Sequence, residues 1–514
     1  MNEEQYRSLC EACDRVLLAP DSTLERVAIP WLHVIREHPV FLANYVDLFE
    51  PARGGKAIIR TCLRVIRNMA GWYRQIGRSL RTGVQPWYGP EDIPSGIDVL
   101  FVSHLLNPSQ AGQAEDFYFG ELPNQLIARG HTVVIALINH SDQAAPYLAD
   151  KWKGSSVPRV ILSVSLRFCE ELSLHRRLKK ESFRLKKLAN KEVFGLARRI
   201  LARASKEGLA SRSLTNMRMF SQIGLLTAKL QPKAIVVTHE GHAWERIAFA
   251  AARGIRQNVH CIGYQHTALF RLQHAIRRNL TREYNPDEIL TAGIVGKAQL
   301  ESAPGLNGVP ISVMGSNRSF KGATINGAHT THSAQAEHTV NSACLVLPEG
   351  IASECHLLFE FSLMCAQASP EIQFVWRLHP LMTHESLAAE NPRLRNLPKN
   401  ILLSKATLEE DIARCCWALY RGTTAVIQAV AAGLRPIYLQ LPGEMTIDPL
   451  YELRDWRVEV ATISAFQRVI DNDISSNLKK IETGIESAKR YCEDFFVPFD
   501  CNALIFDISD RVDC

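Results

Sequence analysis

Hydrophobic and polar positions follow two different patterns along the chain. Over residues 1–90, apolar residues recur every three or four positions and β-branched runs are missing, which predicts helices. A Pro- and Gly-rich stretch, 83–96, predicts a linker. The segment 97–103 (IDVLFVS) is then almost continuously apolar, which is typical of a strand buried on both faces of a parallel sheet. The pattern therefore changes from helical to mixed α/β near residue 97.

The order of elements after this point predicts a doubly wound α/β domain. A strand, a helix and a second buried strand follow one another, as in a crossover between parallel strands. Further apolar runs continue up to a polar, small-residue segment, 322–343, which predicts an interdomain connection. The predicted elements are a helix over 115–129 and strands over 132–138, 234–238, 259–264 and 288–291.

A second alternating series occupies the C-terminal part of the chain and predicts a second α/β domain. Helical periodicity over 463–495 predicts a closing helical region. We therefore divide the chain into a helical extension, 1–90, a first α/β domain, 91–325, and a second, 340–514. The predicted elements of the second series are strands 345–347, 373–378, 401–403, 417–420 and 436–439 and helices 354–368, 407–414 and 423–432.

The overall composition is that of an ordinary globular protein, but one segment is strongly basic. The 514 residues are 46% hydrophobic and 22% charged, as in globular proteins, and a net charge of +6 does not mark a nucleic-acid binder. Residues 176–206, however, contain twelve Lys or Arg and only two acids, Glu181 and Glu192. They predict one or two amphipathic basic helices. The charged face is either solvated or contacts anionic lipid or an anionic glycan.

Neither a metal centre nor a secretion signal is predicted. The 13 cysteines form no regular framework, which fits a reducing compartment, and Cys10 and Cys13 lack the second pair of ligands that zinc needs. The N-terminus is acidic and polar, and no stretch of ~18 uninterrupted apolar residues occurs. The expected location is cytoplasmic, with peripheral contact to the inner face of the plasma membrane through 176–206 left open.

Ligands of open α/β sheets bind beyond the carboxyl ends of the strands, so polar residues at strand exits are the candidates for chemistry. The first group, 238–246 (THEGHAWER), follows a predicted strand. Glu240 is placed there to act as a general base or a nucleophile, and Gly241 allows a sharp turn. In the alternative interpretation, Glu240 and Glu245 are only acids at the start of a helix.

Histidines mark two further strand exits. His266 follows Gln265 at the end of one predicted strand, and His379 is held in extended geometry by Pro380. Arg377 is expected on the same strand face as His379, and an Arg–His pair suits a phosphate. Alternatively, the histidines are satisfied by neighbouring backbone and Arg377 lies on the surface.

A fourth strand exit, 421–424 (RGTT), precedes a helix rich in small residues. Hydroxyls and free amides at a helix start can hold a phosphate, or the Thr is an ordinary N-cap. Gly433 is the expected end of that helix. The patterns GxxxxGK[ST], GxGxxG and GxSxG do not occur, which argues against P-loop NTPases, nicotinamide enzymes and α/β hydrolases.

These motifs together resemble those of bacterial GT-B glycosyltransferases of surface-polysaccharide biosynthesis. The chain looks most like the sialyltransferase-like and Kdo-transferase-like branch, which uses CMP-activated sugars. His239-Glu240-Gly241 is similar to the acidic-acidic-Gly motif of that branch, with His in place of the first acid. The segment 377–380 (RLHP) is similar to its His-Pro motif, and 421–424 to its Ser/Thr pair. The resemblance covers about residues 97–441.

The resemblance implies an α/β fold of GT-B type, with two Rossmann-like domains facing a cleft and an N-terminal helical extension. It implies a glycosyltransferase that moves Kdo, sialic acid or a related 2-keto acid sugar from a CMP donor to a glycan or lipid-linked glycan, as in lipopolysaccharide or capsule biosynthesis. The C-terminal domain would hold the donor, and the first domain, with its basic helical insertion, the acceptor. No cofactor beyond the nucleotide sugar, no metal and no nucleic acid are expected.

Roles for individual residues follow from the same resemblance. Glu240 would be the base of an inverting enzyme or the nucleophile of a retaining one. His379 would bind the donor phosphate and assist the departing nucleotide. The remaining expected contacts are His266 as a further catalytic residue; Arg377, Pro380, Arg421, Gly422, Thr423, Thr424, Glu349 and Gly350 for the donor; and Arg246, Gln265, Glu245 and His242 for the substrate.

Two other hypotheses stay open. A transferase of the same architecture could use a UDP- or TDP-sugar, or move a polyol phosphate from a CDP donor. A non-catalytic glycan-binding protein with a decayed site would show no functional loss when Glu240 is neutralised.

Overall fold

The computed structural model describes residues 1–49, 70–80, 84–319, 343–380, 382–475 and 478–504. The chain divides into two compact units. The first comprises Met1–His266, Gln273–Asn317 and the described residues from Pro498 onward, and the second comprises Thr267–Leu272 and Arg318–Val497. Residues 1–49 thus belong to the first unit, and residues 498–504 belong to it as well, although the sequence-based division places them in 340–514.

An eight-stranded sheet forms the centre of the first unit. Its strands are β1 (Trp87–Tyr88), β2 (Val99–Leu105), β3 (Val133–Asn139), β4 (Arg159–Leu162), β5 (Ala234–Thr238), β6 (His260–Gln265), β7 (Glu288–Thr291) and β8 (Ile311–Val313). They lie in the order β1-β4-β3-β2-β5-β6-β7-β8, and all neighbours are parallel except β1 and β4. Strands are added on one side of β2 and then on the other, which is the doubly wound order.

Strand β2 illustrates why continuous apolar runs form the centre of this sheet. Val99 and Phe101 pack into the core on one face, whereas Leu100 and Val102 pack into the core on the other. Because successive side chains point to opposite faces, a strand covered on both sides is apolar throughout. The α-helices of this unit are Glu3–Leu17, Leu24–Val27, Pro39–Leu42, residues 70–79, Leu122–Ala128, Ala145–Asp150, Phe168–Lys191, Leu196–Glu207, Ser211–Leu230, Ala243–Ile255 and Ile294–Glu301.

The second unit is built on a six-stranded parallel sheet. Its strands are β9 (Ala343–Leu347), β10 (Gln373–Trp376), β11 (Ile401–Leu403), β12 (Trp417–Tyr420), β13 (Arg435–Leu439) and β14 (Val458–Val460), in the order β11-β10-β9-β12-β13-β14. Its α-helices are Ala352–Ala368, His384–Glu390, Leu408–Ala413, Ala425–Ala431, Ile463–Ser475 and Leu478–Glu493. The predicted fold class, α/β with two Rossmann-like sheets, is confirmed.

Buried ion pairs fasten the N-terminal helical residues to the rest of the first unit. The buried Arg26 donates from Nε to Glu181 Oε1 at 2.7 Å. Asp14 pairs with Arg278 at 2.8 Å and lies 2.7 Å from His274 Nε2. Removing one member of a buried pair leaves an uncompensated charge, so these contacts hold the segment firmly.

The helix expected over 115–129 is much shorter in the structure, where it covers only Leu122–Ala128. The cause is the buried Asp116, whose side chain accepts hydrogen bonds from the amides of Tyr118 and Phe119. An Asp that bonds its own local backbone favours a turn over a helix. The expectation of one long helix here is therefore wrong.

Other differences concern short elements and boundaries. Strands β1, β4, β8 and β14, each of two to four residues, are absent from the sequence-based prediction. The region 463–495 is helical as predicted and forms two helices, and the basic segment 176–206, for which one or two helices were predicted, lies on two. The segment 322–343 lies outside the described residues except for Ala343, which begins β9.

Within the described parts of the chain, every helix is either too short or too polar to cross a bilayer.

Candidate active site

In each sheet there is one place where the order of strand addition reverses, and ligands of such sheets bind there. In the first sheet, β2 and β5 are neighbours although β3 and β4 lie between them in the sequence. The loops that leave the carboxyl ends of β2 and β5 run to opposite sides, which opens a crevice. In the second sheet, β9 and β12 are the corresponding pair.

Glu240 lies in the loop after β5, at the reversal point of the first sheet. Its neighbour Gly241 has a φ of +88°, and a Cβ at this position would lie 2.3 Å from the carbonyl carbon of Ala275. Left-handed backbone and close approach of another chain segment both require glycine. The expected sharp turn behind Glu240 is therefore present.

Glu245 fixes the conformation of this loop. Its buried carboxylate accepts hydrogen bonds from the amides of Glu240, Gly241 and His242 at 2.7–3.1 Å. Three amides that would otherwise be unpaired near a helix start are satisfied in this way. In the structure the oxygens of Glu245 accept hydrogen bonds from the loop, as in the alternative interpretation of the sequence, and its contact with substrate stays a prediction.

Two basic side chains hold the carboxylate of Glu240. Arg36, from the N-terminal helical residues, donates from Nη2 to Glu240 Oε2 at 2.9 Å, and His242 Nε2 lies 3.3 Å from the same oxygen. Burial raises the pKa of Glu240, but Arg36, His242 and His266 outweigh this effect and keep that pKa well below its usual value. Burial lowers the pKa of His242, whereas Glu240 and Glu245 raise it overall. Glu240 is therefore ionised at neutral pH.

A group of aromatic and imidazole side chains stands at the end of β2, on the other side of the reversal point. His104 Nδ1 lies 2.8 Å from His140 Nε2, and His104 Nε2 lies 3.3 Å from Thr238 Oγ1. The rings of Tyr118 and Trp244 meet His104 edge to face. Burial and the neighbouring His140 lower the pKa of His104 well below its usual value, so this imidazole is neutral.

Sequence analysis missed His104 and His140, although a signal for both exists. Each follows an apolar run at the carboxyl end of its strand, β2 or β3. The carboxyl end of β2 is the more informative position for a ligand site, because the two halves of the sheet diverge from β2. The sequence alone does not indicate which strand has that position.

His239, which stands where the motif of the similar transferase branch has its first acid, is completely buried beside Glu245. Its Nδ1 lies 3.1 Å from Glu245 Oε2. A Cβ at Gly263 would lie 3.0 Å from the His239 ring, so the imidazole packs directly on β6. Burial lowers the pKa of His239. A second carboxylate here would be repelled by Glu245, whereas a neutral imidazole is not.

Arg246, predicted among the substrate contacts, is buried and has hydrogen-bond partners within the protein. Its buried guanidinium donates to Asn285 Oδ1 at 2.9 Å and to the carbonyl oxygens of Ala275 and Arg278 at 2.9 and 2.8 Å. A buried arginine needs such acceptors because its charge cannot be lost easily. Arg246 therefore braces the segment that passes over Gly241.

Gln265 and His266, at the exit of β6, differ in accessibility. Gln265 is buried, and a Cβ at Gly296 would lie 2.6 Å from its Oε1, so it packs against the following helix. His266 is half-buried, and its ring meets Tyr118 edge to face at 4.5 Å. Of these two expected site residues, the structure brings only His266 close to the group around Glu240.

In the second unit, four of the expected donor residues come together at the exits of β9, β10 and β12. A Cβ at Gly350 would lie 2.7 Å from the His379 ring, and a Cβ at Gly422 would lie 2.7 Å from Glu349 Oε1. Burial lowers the pKa of His379, although Glu349 opposes this effect. The imidazole is therefore neutral at pH 7 and offers one N–H. Pro380 is exposed in the turn that follows.

The two arginines expected on the donor phosphate have other partners. Arg377 donates from Nη1 to the Ala406 carbonyl oxygen at 2.7 Å and to Asp411 Oδ2 at 2.9 Å. The buried Arg421 donates from Nε to Glu354 Oε2 at 2.6 Å and also pairs with Glu444. Both guanidinium groups brace loops in this structure, and their contact with the donor stays a prediction.

Thr423 and Thr424 lie directly before the helix Ala425–Ala431. Thr423 Oγ1 accepts a hydrogen bond from the Ala425 amide at 3.3 Å, a local bond to a residue two positions later, whereas Thr424 at the N-cap makes no side-chain capping bond. The helix has only seven residues, so its dipole contributes little. Gly433, with a φ of +102°, follows the end of this helix as expected.

No family model and no curated protein sequence matches the chain. Similar solved structures include the glycotransferase of kitacinnamycin, at 11% identity, with 81% of this chain and 99% of that chain covered and a TM-score of 0.48. The glycosyltransferase SnogD from Streptomyces nogalater is similar at 14% identity, with 81% and 100% covered and a TM-score of 0.45. A UDP-N-acetylglucosamine 2-epimerase is similar at 11% identity, with 82% and 98% covered and a TM-score of 0.39. The likeness to these structures concerns the fold alone.

Proposed function

We propose that this protein is a nucleotide-sugar glycosyltransferase in which Glu240 is the catalytic carboxylate. The observation that carries the proposal is the ionised Glu240 at the reversal point between β2 and β5. Glu245 already caps the loop, so Glu240 is not needed for that purpose. A buried negative charge is suited to a reacting centre that becomes positive, as the anomeric carbon does in sugar transfer.

The low pKa of Glu240 favours a nucleophile over a base. A base whose pKa lies far below the working pH accepts a proton weakly, whereas a carboxylate nucleophile needs only to be ionised. A Glu240 oxygen would bond to the anomeric carbon while the bond from that carbon to the donor phosphate oxygen breaks, and the electron pair leaves with the nucleotide. The acceptor hydroxyl would then displace Glu240 and release its proton. In the inverting alternative, Glu240 takes the acceptor proton directly.

We propose that the second unit binds the nucleotide part of the donor through the loops after β9, β10 and β12. The neutral His379 can donate its N–H to a donor oxygen, and Glu349 lies beside it at the same strand exits. The motif resemblance favours a CMP donor. Arg246, however, a candidate partner for the carboxylate of such a 2-keto acid sugar, is engaged with backbone carbonyls, which leaves His266 as the other candidate. UDP- and TDP-sugars are therefore equal candidates, and metal independence stays a prediction.

A donor panel and one carboxylate variant test the proposal. Purified protein is incubated with CMP-, UDP- and TDP-sugars, and nucleotide release and intact protein mass are recorded. We expect release from one donor class and, on the retaining route, a mass increase of one sugar residue. Glu240→Gln keeps the shape but removes the charge, so nucleotide binding persists, the adduct disappears and turnover falls at least ~100-fold.

Glu245→Gln is the matched control, because it makes the same chemical change five positions along the chain. Loss of charge from the loop cap weakens its hydrogen bonds to the three amides, by about 1–3 kcal/mol in total. We expect a lower melting temperature and residual turnover in the folded variant. Wild-type turnover by Glu240→Gln together with inactivity of folded Glu245→Gln would reverse the two roles. If no donor class binds or reacts, the proposed activity is wrong and the non-catalytic alternative is favoured.

A further inference from the structure

The basic segment forms a helical hairpin that is held to the protein by one side. The helices Phe168–Lys191 and Leu196–Glu207 pack on each other and are joined by residues 192–195, which we call the hairpin tip. On the attached side, Leu178 and Leu185 are buried, and Glu181 forms the buried pair with Arg26. The hairpin is therefore rigidly mounted on the first unit.

The opposite side of the first hairpin helix is an exposed cationic face. Positions separated by three and four residues lie on one side of a helix. The members of this face, all exposed, are Arg176, Lys179, Lys180, Phe183, Lys186 and Lys187. Phe183 is 60% exposed at its centre. No described acidic residue forms an ion pair with any of these cations, whereas Arg177 and Arg184, on the attached side, pair with Glu25 and Asp21.

The hairpin tip carries two adjacent apolar side chains in water. Val193 is 82% exposed and Phe194 is 90% exposed, which are the two highest values among the exposed large hydrophobic residues. Arg198 lies over the Phe194 ring, 4.9 Å from its centre. Over residues 183–202 there are six Lys or Arg and one acid, Glu192. Exposed apolar side chains flanked by cationic residues are typical of a surface that inserts between the headgroups of an anionic bilayer.

We propose that this hairpin docks on an anionic lipid bilayer, with Val193 and Phe194 inserted between headgroups and the cationic face on the lipid phosphates. The positive charge of the hairpin favours a negatively charged partner. The lysines are attracted to an anionic surface. Arg198, which lies over the Phe194 ring, has an apolar stem and a charged end, as side chains in the headgroup region of a bilayer often do. A polyanionic glycan would use the lysines but would leave Val193 and Phe194 in water. The proposal does not rest on the catalytic role of Glu240.

Co-sedimentation of the full chain with vesicles tests the proposal. Vesicles of phosphatidylglycerol and phosphatidylcholine are compared with phosphatidylcholine alone at increasing salt. We expect binding only to the anionic vesicles and a steep loss with salt. The double variant Val193→Ser, Phe194→Ser should bind about tenfold or more weakly, because insertion of the apolar side chains is lost. Lys186→Glu and Lys187→Glu should each weaken binding by about fivefold or more.

Ile474→Ser is the control for the tip variants. Ile474 is also strongly exposed, but it lies on a helix of the second unit, and its loss should leave vesicle binding unchanged. Circular dichroism checks that all variants are folded. Equal vesicle binding by the wild type and the double tip variant would overturn the proposal. So would binding of soluble heparin without binding to anionic vesicles, or a dimer that depends on Phe194 in a protein that ignores vesicles.

Discussion

At the scale of single residues, the candidate site is an arrangement of charges around one buried carboxylate. Glu240 is surrounded by Arg36, His242 and His266, and their combined attraction exceeds the cost of burial. Opposite charges within a few ångströms stabilise the ionised form, whereas a low dielectric alone destabilises it. The protonation state of Glu240 therefore depends on a residue from the N-terminal segment, Arg36, which is 204 positions away in the sequence.

Arg36→Ala should shift the acidic limb of the activity profile to higher pH. Without Arg36, burial is opposed less, so the pKa of Glu240 rises and the carboxylate is protonated at a pH where the wild type is still ionised. Arg36→Lys should restore part of the shift because it keeps the charge. The measurement is kcat/KM against pH with the donor found in the panel. An unchanged acidic limb in folded Arg36→Ala would contradict the positioning role of Arg36.

At the scale of elements, the N-terminal helical residues contact the rest of the first unit through a buried histidine, since Arg278 Nη2 lies 3.4 Å from His33 Nδ1. His33 is completely buried, and its Nε2 lies 2.8 Å from the Val27 carbonyl oxygen. Burial, together with the nearby Arg278, lowers the pKa of His33 well below its usual value. The folded state therefore keeps His33 neutral, whereas the unfolded chain takes up a proton near pH ~6.5.

The free energy of unfolding should consequently fall as the pH is lowered below about 6.5, by up to ~1.4 kcal/mol per pH unit from His33 alone. Because the pKa of His33 is lower in the folded protein than in the unfolded chain, its contribution to the free energy of unfolding is complete above the unfolded pKa. That contribution is lost as the pH falls and protons bind the unfolded chain. In His33→Gln this part of the slope should disappear. Urea unfolding at several pH values measures the slope. Equal pH slopes for wild type and variant would contradict the prediction, whatever the absolute stability.

At the scale of the whole molecule, each sheet brings together side chains that its topology places at one reversal point. In the second unit, loops from β9, β10 and β12 meet around Glu349, Gly350 and His379, because those strands are neighbours in space. Arg377, only two positions before His379, instead reaches Asp411. Sites of this kind are built from strand order and not from sequence proximity.

His379→Ala should lower turnover by ~100-fold or more and abolish the rise in melting temperature that the donor nucleotide causes. Arg377→Gln is the matched control in the same loop. Because Arg377 braces Asp411, its loss should lower the melting temperature of the free protein, while turnover and stabilisation by nucleotide persist in the folded fraction. Normal turnover by folded His379→Ala would remove His379 from the donor site.

The sequence by itself determined the two α/β sheets and most of their strands. Runs such as 99–102 and 234–237 are apolar at every position, which is typical of a strand covered on both faces. It also located the turn at Gly241 and the polar residues at the strand exits, since these depend on backbone preferences within a few positions. The short strand β1 and the turn at Asp116 were not predicted, because segments of so few residues show no recognisable hydrophobic periodicity.

The tertiary structure alone decided which of the candidate side chains are committed to partners within the protein. Arg246, Arg377 and Arg421 look alike in the sequence, yet all three are held by acceptors from 18 to 67 positions away. Arg36 and His104, in contrast, join the group around Glu240 from other parts of the chain. Periodicity fixes local conformation, whereas burial and ion pairing depend on contacts between distant residues, which exist only after the chain has folded.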